Sequence, residues 1–147
     1  MLRTFAGIVT ILLTVGVYGS TDYQPTTFIK DTKLIGSLHQ NNEVEMFLGI
    51  PFAVPPINDL RWEKPIAWTP ENKKEITANK FRAACVQNQR IVNWYKRLIL
   101  DFGGDPGTFD IPEFSEDCLY LNLWRPRGLE NNLPVIVYIH GGSNKAG

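Results

Sequence analysis

Apolar residues recur along this chain in several rhythms, and each rhythm predicts its own element. Phe5 to Val17 is an apolar run broken only by Thr and Gly. Phe28-Ile29 and Leu34-Ile35 are short pairs on either side of Lys30-Asp31-Thr32-Lys33. The polar turn His39-Gln40-Asn41-Asn42 leads into Val44-Glu45-Met46-Phe47-Leu48. These short runs predict small antiparallel strands joined by turns. Lys73 to Lys80 is polar around Ile76 and predicts one short strand. Ile91, Val92, Trp94, Tyr95, Leu98 and Ile99 recur at helical spacing, so Asn88 to Leu100 predicts a helix, stopped by Asp101-Phe102-Gly103-Gly104. Leu119, Leu121 and Leu123 alternate with Tyr120, Asn122 and Trp124, the two-residue period of a strand.

Two stretches break these rhythms. Pro51, Pro55 and Pro56 fall within six residues, fixing φ and removing backbone donors. A rigid extended segment is expected there, held down by Leu60, Trp62 and Trp68. Val135-Ile136-Val137-Tyr138-Ile139 has no polar face, so it predicts a strand covered on both sides, as in a parallel sheet. Nothing in the pattern supplies the long helices that would cover it. A chain that is the front part of a larger fold is therefore expected.

Composition changes the picture mainly at the N-terminus. Arg3, the apolar run and Val17-Tyr18-Gly19 have the layout of a secretory signal peptide cleaved after Gly19. The run is shorter than the ~20 residues a spanning helix needs, so no membrane span is expected. The expected organisation is a signal peptide over 1–19 and one segment over 20–147. Removing Arg3 leaves 14 basic against 15 acidic residues, which gives no electrostatic sign of a nucleic-acid partner. Cys85 and Cys118, an even pair behind a signal peptide, favour a disulfide and an extracellular location. Neither has a second Cys or a His at ligand spacing, so no metal is expected. His39 reads as a solvated turn residue. No Asn-x-Ser/Thr acceptor occurs.

Four blocks carry a resemblance. They are Phe47-Leu48-Gly49-Ile50-Pro51-Phe52-Ala53 with Pro55-Pro56; Leu60-Arg61-Trp62 with Pro65; Ser115-Glu116-Asp117-Cys118-Leu119-Tyr120-Leu121-Asn122; and Pro134 to Gly142. In this order and spacing they resemble the N-terminal quarter of the type-B carboxylesterase and cholinesterase family of α/β-hydrolases. The resemblance implies an α/β fold in which antiparallel leading strands enter a mostly parallel sheet, incomplete in this chain. It implies a serine-type hydrolase of small-molecule carboxylic esters that uses no cofactor or metal.

The resemblance also implies roles for single residues. The backbone N–H groups of Gly142 and Ser143 stand where the family holds its oxyanion, with Gly141 allowing the turn. Ser143 replaces a third glycine, and Asn144 replaces an aromatic residue. His140 is not the family's catalytic histidine, because nucleophile, acid and base follow the oxyanion loop in that order. Neither G-x-S-x-G nor a substitute occurs in the 147 residues, so this chain alone is expected to be inactive. Non-catalytic, esterase-like adhesion domains also carry H-G-G-S, and a binding domain is the alternative reading. Cys85 and Cys118 match the family's first disulfide. Arg61 by itself reads as a solvated loop arginine. The resemblance makes it a structural ion pair with Glu116, expected to be buried and bidentate.

Overall fold

The structure, a computed structural model, describes residues 23–70, 74–88, 90–129 and 132–143. In chain order its strands are β1 (Thr26–Ile29), β2 (Thr32–Ile35), β3 (Ser37–Leu38), β4 (Val44–Pro51), β5 (Glu75–Thr77) and β6 (Ala84–Cys85). The helix α1 (Arg90–Asp101) follows, then β7 (Phe114–Ser115) and β8 (Tyr120–Pro126).

The short apolar pairs do form a hairpin. β1 and β2 run antiparallel with Ile29 opposite Thr32, and Lys30 turns the corner at φ 52°. β5 adds in parallel, with Leu34 opposite Ile76. A second sheet has the order β3-β4-β8, antiparallel throughout. The N–H of Leu48 donates to the Ala78 carbonyl and the N–H of Ala78 donates to the Ile35 carbonyl, which stitches the two sheets together. Leu34, Phe47, Ile50 and Ala78 fill the space between them, with Ile29 and Ile76 against this core. Gly36 permits the contact, since a Cβ there would lie 2.4 Å from the Met46 carbonyl oxygen and 2.9 Å from the Phe47 ring.

The β4–β8 ladder slips register between Phe47 and Ile50. Gly49 sits in this bulge at φ 74°, where glycine avoids the cost of a side chain. Its displaced N–H donates to Asn122 Oδ1 at 2.8 Å. That bond holds Asn122 half-buried against β4, and Leu121 and Leu123, on the other face of β8, are 43% and 41% exposed.

α1 forms where the helical period predicts it. Asn88 Oδ1 accepts from the Arg90 N–H at 2.9 Å, and Gly103, at φ 76°, closes the other end by donating to the Leu100 carbonyl. Val92 is its buried residue, and Tyr95 stacks on Phe109. No helix among the described residues is long and apolar enough to cross a membrane.

Two expectations need correction. Trp62 does not anchor the Pro-rich segment; it is fully exposed, in a left-handed bend at φ 65° just after the 3-10 turn Asn58–Leu60. Backbone bonds hold the segment instead, from the Val54 N–H to the Ile66 carbonyl and from the Trp68 N–H to the Phe52 carbonyl. Val135–Ile139 forms no strand ladder among the described residues, and its side chains are 80–92% exposed. A strand with no polar face needs a hydrogen-bonded neighbour and cover on both faces, and no described strand meets it.

Candidate functional site

His140, Gly141, Gly142 and Ser143 follow this apolar segment and are exposed. Gly142 has φ 143° and Ser143 has φ 55°, two consecutive residues in the left-handed half of backbone space. For Ser143 that conformation is unusual, because its Cβ crowds the backbone. Among the described residues neither N–H donates a hydrogen bond. The His140 ring contacts its own neighbour, with Nδ1 3.2 Å from the Gly141 carbonyl oxygen. Among the described residues no carboxylate hydrogen-bonds to it, and no hydrogen bond joins it to Ser143 Oγ. Asn144 and residues 1–19 lie outside the described residues.

The remaining predicted residues form supports some way along the chain. Cys85 and Cys118 are joined in a disulfide with Cα atoms 5.0 Å apart. It closes the loop that carries α1, and β6 pairs with β7 in parallel beside it, Cys85 opposite Ser115. Arg61 Nη2 lies 2.6 Å from Glu116 Oε1. The buried, bidentate geometry expected for this pair is absent: the contact is single, and the side chains are 56% and 41% exposed. The pair links the Pro-rich segment to the stretch leading into β8, but it does so in water. His39 is exposed in its turn, 3.2 Å from Asn41 Oδ1. Among the described residues no group of three or more His, Cys, Asp or Glu could hold a metal ion.

Sequence reasoning missed the buried charge among the described residues. Glu45 is 1% exposed. Its Oε2 accepts from Arg125 Nε at 2.5 Å, and its Oε1 accepts from the Tyr23 hydroxyl. Burial pushes its carboxyl pKa up, but the hydrogen bonds from Tyr23 and Arg125 and the nearby positive charges outweigh burial, and the pKa falls below the ordinary glutamate value. One signal was available. Glu45 shares a strand face with Phe47, so a charge there had to be paired. Tyr120 was also missed. Burial, and then its bond of 2.8 Å to Asp117 Oδ1, raise the phenol pKa. Arg82, 5.8 Å from the ring centre, opposes that rise.

Comparison with known proteins agrees with the family resemblance. The sequence profile of the Carboxylesterase family matches residues 24–147. The chain is 37% identical over 109 residues to the fumonisin B1 esterase of Sphingopyxis macrogoltabida, covering 71% of this chain and 17% of that protein. It is 32% identical over 139 residues to a probable cholinesterase of Acanthamoeba polyphaga mimivirus, covering 90% of this chain and 21% of that one. In structure it resembles a thermophilic PNB esterase with a TM-score of 0.64 at 28% identity, over 83% of this chain and 22% of the other. The chain thus spans about a fifth of the length of the relatives it matches. The chain belongs to the Carboxylesterase family, and its sheets form an N-terminal part of an α/β-hydrolase fold.

Proposed function

We propose that this Carboxylesterase-family chain is the oxyanion-loop segment of a secreted, serine-type carboxylic-ester hydrolase acting on small-molecule esters. One observation carries the reading. An apolar segment runs into Gly141-Gly142-Ser143, whose last two N–H groups are adjacent, exposed and uncommitted among the described residues. Donors fixed in place before the reaction stabilise charge that develops only in the transition state. In the proposed reaction a serine, deprotonated by a histidine, attacks the ester carbonyl. The carbonyl oxygen takes the negative charge and is held by Gly142 and Ser143. Collapse expels the alcohol, which takes the proton from the histidine, and water then releases the acid. The nucleophile, acid and base belong to sequence other than these 147 residues. No cofactor enters the scheme. The apolar run at the N-terminus and the disulfide support secretion.

A second reading has its own observation. Ser143 stands where the family pattern has a glycine and holds a left-handed conformation that its Cβ makes costly, a departure from the catalytic pattern. The alternative is a non-catalytic, esterase-like binding domain. Sequencing the full transcript and labelling the secreted product with a fluorophosphonate separates the two. The hydrolase reading expects G-x-S-x-G, a later acid and a later histidine, with a label lost when that serine is changed to alanine. A full-length product without that motif, and without label, overturns it in favour of the binding domain.

A further inference from the structure

Glu45 lies in β4, directly opposite Arg125 of β8 and Leu38 of β3. Its two carboxylate oxygens serve different parts of the chain. One accepts from Arg125 and the other from Tyr23, 22 residues earlier. Arg125 then reaches on, with Nη2 donating to the Thr26 carbonyl at 3.1 Å. Between Tyr23 and Thr26, buried Pro25 accepts at its carbonyl from the Gly36 N–H at 2.8 Å. Besides the β1–β2 ladder that begins at Thr26, three hydrogen bonds thus fasten the segment 23–26, and two of them run through the Glu45–Arg125 pair. Arg127 covers the Tyr23 ring, 4.3 Å from its centre, and Arg125 lies over Phe47 at 5.3 Å.

We infer that Tyr23, Glu45, Arg125 and Arg127 form an acid-released latch that holds the segment 23–26 against the β4–β8 sheet. Protonating Glu45 removes a charged acceptor from two donors at once. It also leaves the Arg125 guanidinium, largely withdrawn from water, facing a neutral acid. The groups around Glu45 do not compensate. β3 contributes Ser37 and Leu38, and β1 contributes Thr26, none of them ionisable at these pH values. Glu43 is exposed and accepts from Asn41, and Arg127 is the only further cation the described structure places at the latch. Because the Glu45 pKa is lowered in the fold, the latch contributes its full stability above the unfolded glutamate value of about 4.3. That contribution fades as pH falls through the lower folded value. The Pro25–Gly36 bond and the β1–β2 ladder carry no ionisable group, so the release frays only the first ladder pairs, Thr26 with Ile35 and Thr27 with Leu34, and leaves the rest of the sheet paired.

Hydrogen exchange of the secreted chain, followed by mass spectrometry from pH 7 to pH 3 and corrected for intrinsic rates, tests this. Amides of residues 23–27 should lose protection by about ten- to hundredfold below the Glu45 pKa, the factor carried by a hydrogen bond to a charged group. Amides of β8 should stay protected over the same range. Glu45→Gln should show the released segment already at pH 7. Tyr23→Phe removes one hydroxyl of the latch from an exposed residue, and should raise exchange in 23–27 at pH 7 while β8 is unchanged. Loss of protection in both regions at one pH overturns the latch, because that is global acid unfolding. So does wild-type protection of 23–27 at pH 7 in Glu45→Gln. Where Glu45→Gln deprotects β8 as well, Tyr23→Phe decides, and protection in it equal to the wild type refutes the proposal.

Discussion

Arg61 and Glu116 meet at 2.6 Å, yet water reaches both side chains. Solvent competes for an exposed ion pair, so its coupling should be below about 1 kcal/mol. Breaking it should not carry the roughly 3–5 kcal/mol of a charge left alone in a buried site. Thermal melts of Arg61→Ala, Glu116→Ala and the double variant give the coupling directly, and a value above about 2 kcal/mol would contradict the exposed geometry. The pairing of these residues was legible only through the family resemblance. Taken singly, Arg61 is a loop arginine with no periodic neighbour. Its exposure follows from where the Pro-rich segment lies, and no local pattern encodes that. Glu45 shows the reverse case. Its strand face was readable, but its partners Tyr23 and Arg125 lie 22 and 80 residues away, beyond the reach of any local rhythm.

At the scale of elements, local period was enough for the β1–β2 hairpin and for α1, whose bonds close within a few residues. It could not reveal the β4–β8 bulge, because a register slip depends on two strands at once. The cost of that bulge is concentrated on one atom, the Asn122 Oδ1 that accepts from the Gly49 N–H. Asn122→Leu should leave this half-buried donor unmet and destabilise by about 1–3 kcal/mol, read as a shift in the urea midpoint. Asn122→Asp keeps an acceptor and should recover most of the loss. Equal midpoints for the wild type and Asn122→Leu would show that water replaces the side chain. The disulfide acts on a different element, the loop that carries α1. Secreted protein digested without reduction should yield Cys85 and Cys118 in one linked peptide pair. Replacing both by Ser should cost roughly 3–4 kcal/mol in the chain-entropy account. Free alkylation of both thiols before reduction would contradict the pairing.

For the whole molecule the deciding feature is the apolar segment ahead of Gly141. The pattern predicts a covered strand over Val135–Ile139, while the described structure leaves these side chains in water. Both statements follow from one property: the segment has no polar face to offer solvent and no neighbour here to pair with. Exposed apolar backbone able to extend is a template for association with other chains. The two sheets around Phe47 and Leu34 are well packed, so the expected behaviour is an ordered core with a sticky end. Residues 20–147, made by secretion with the disulfide intact, should bind a hydrophobic dye strongly and associate as concentration rises. Ile136→Asp with Ile139→Asp should reduce both effects without moving the unfolding midpoint of the core. The same material should not turn over a nitrophenyl ester, since donors without a nucleophile and base have no attack to stabilise. A monodisperse monomer that ignores the dye would show that Val135–Ile139 finds cover within these residues. Turnover that vanishes in Ser143→Ala would place a nucleophile where only an oxyanion donor is proposed.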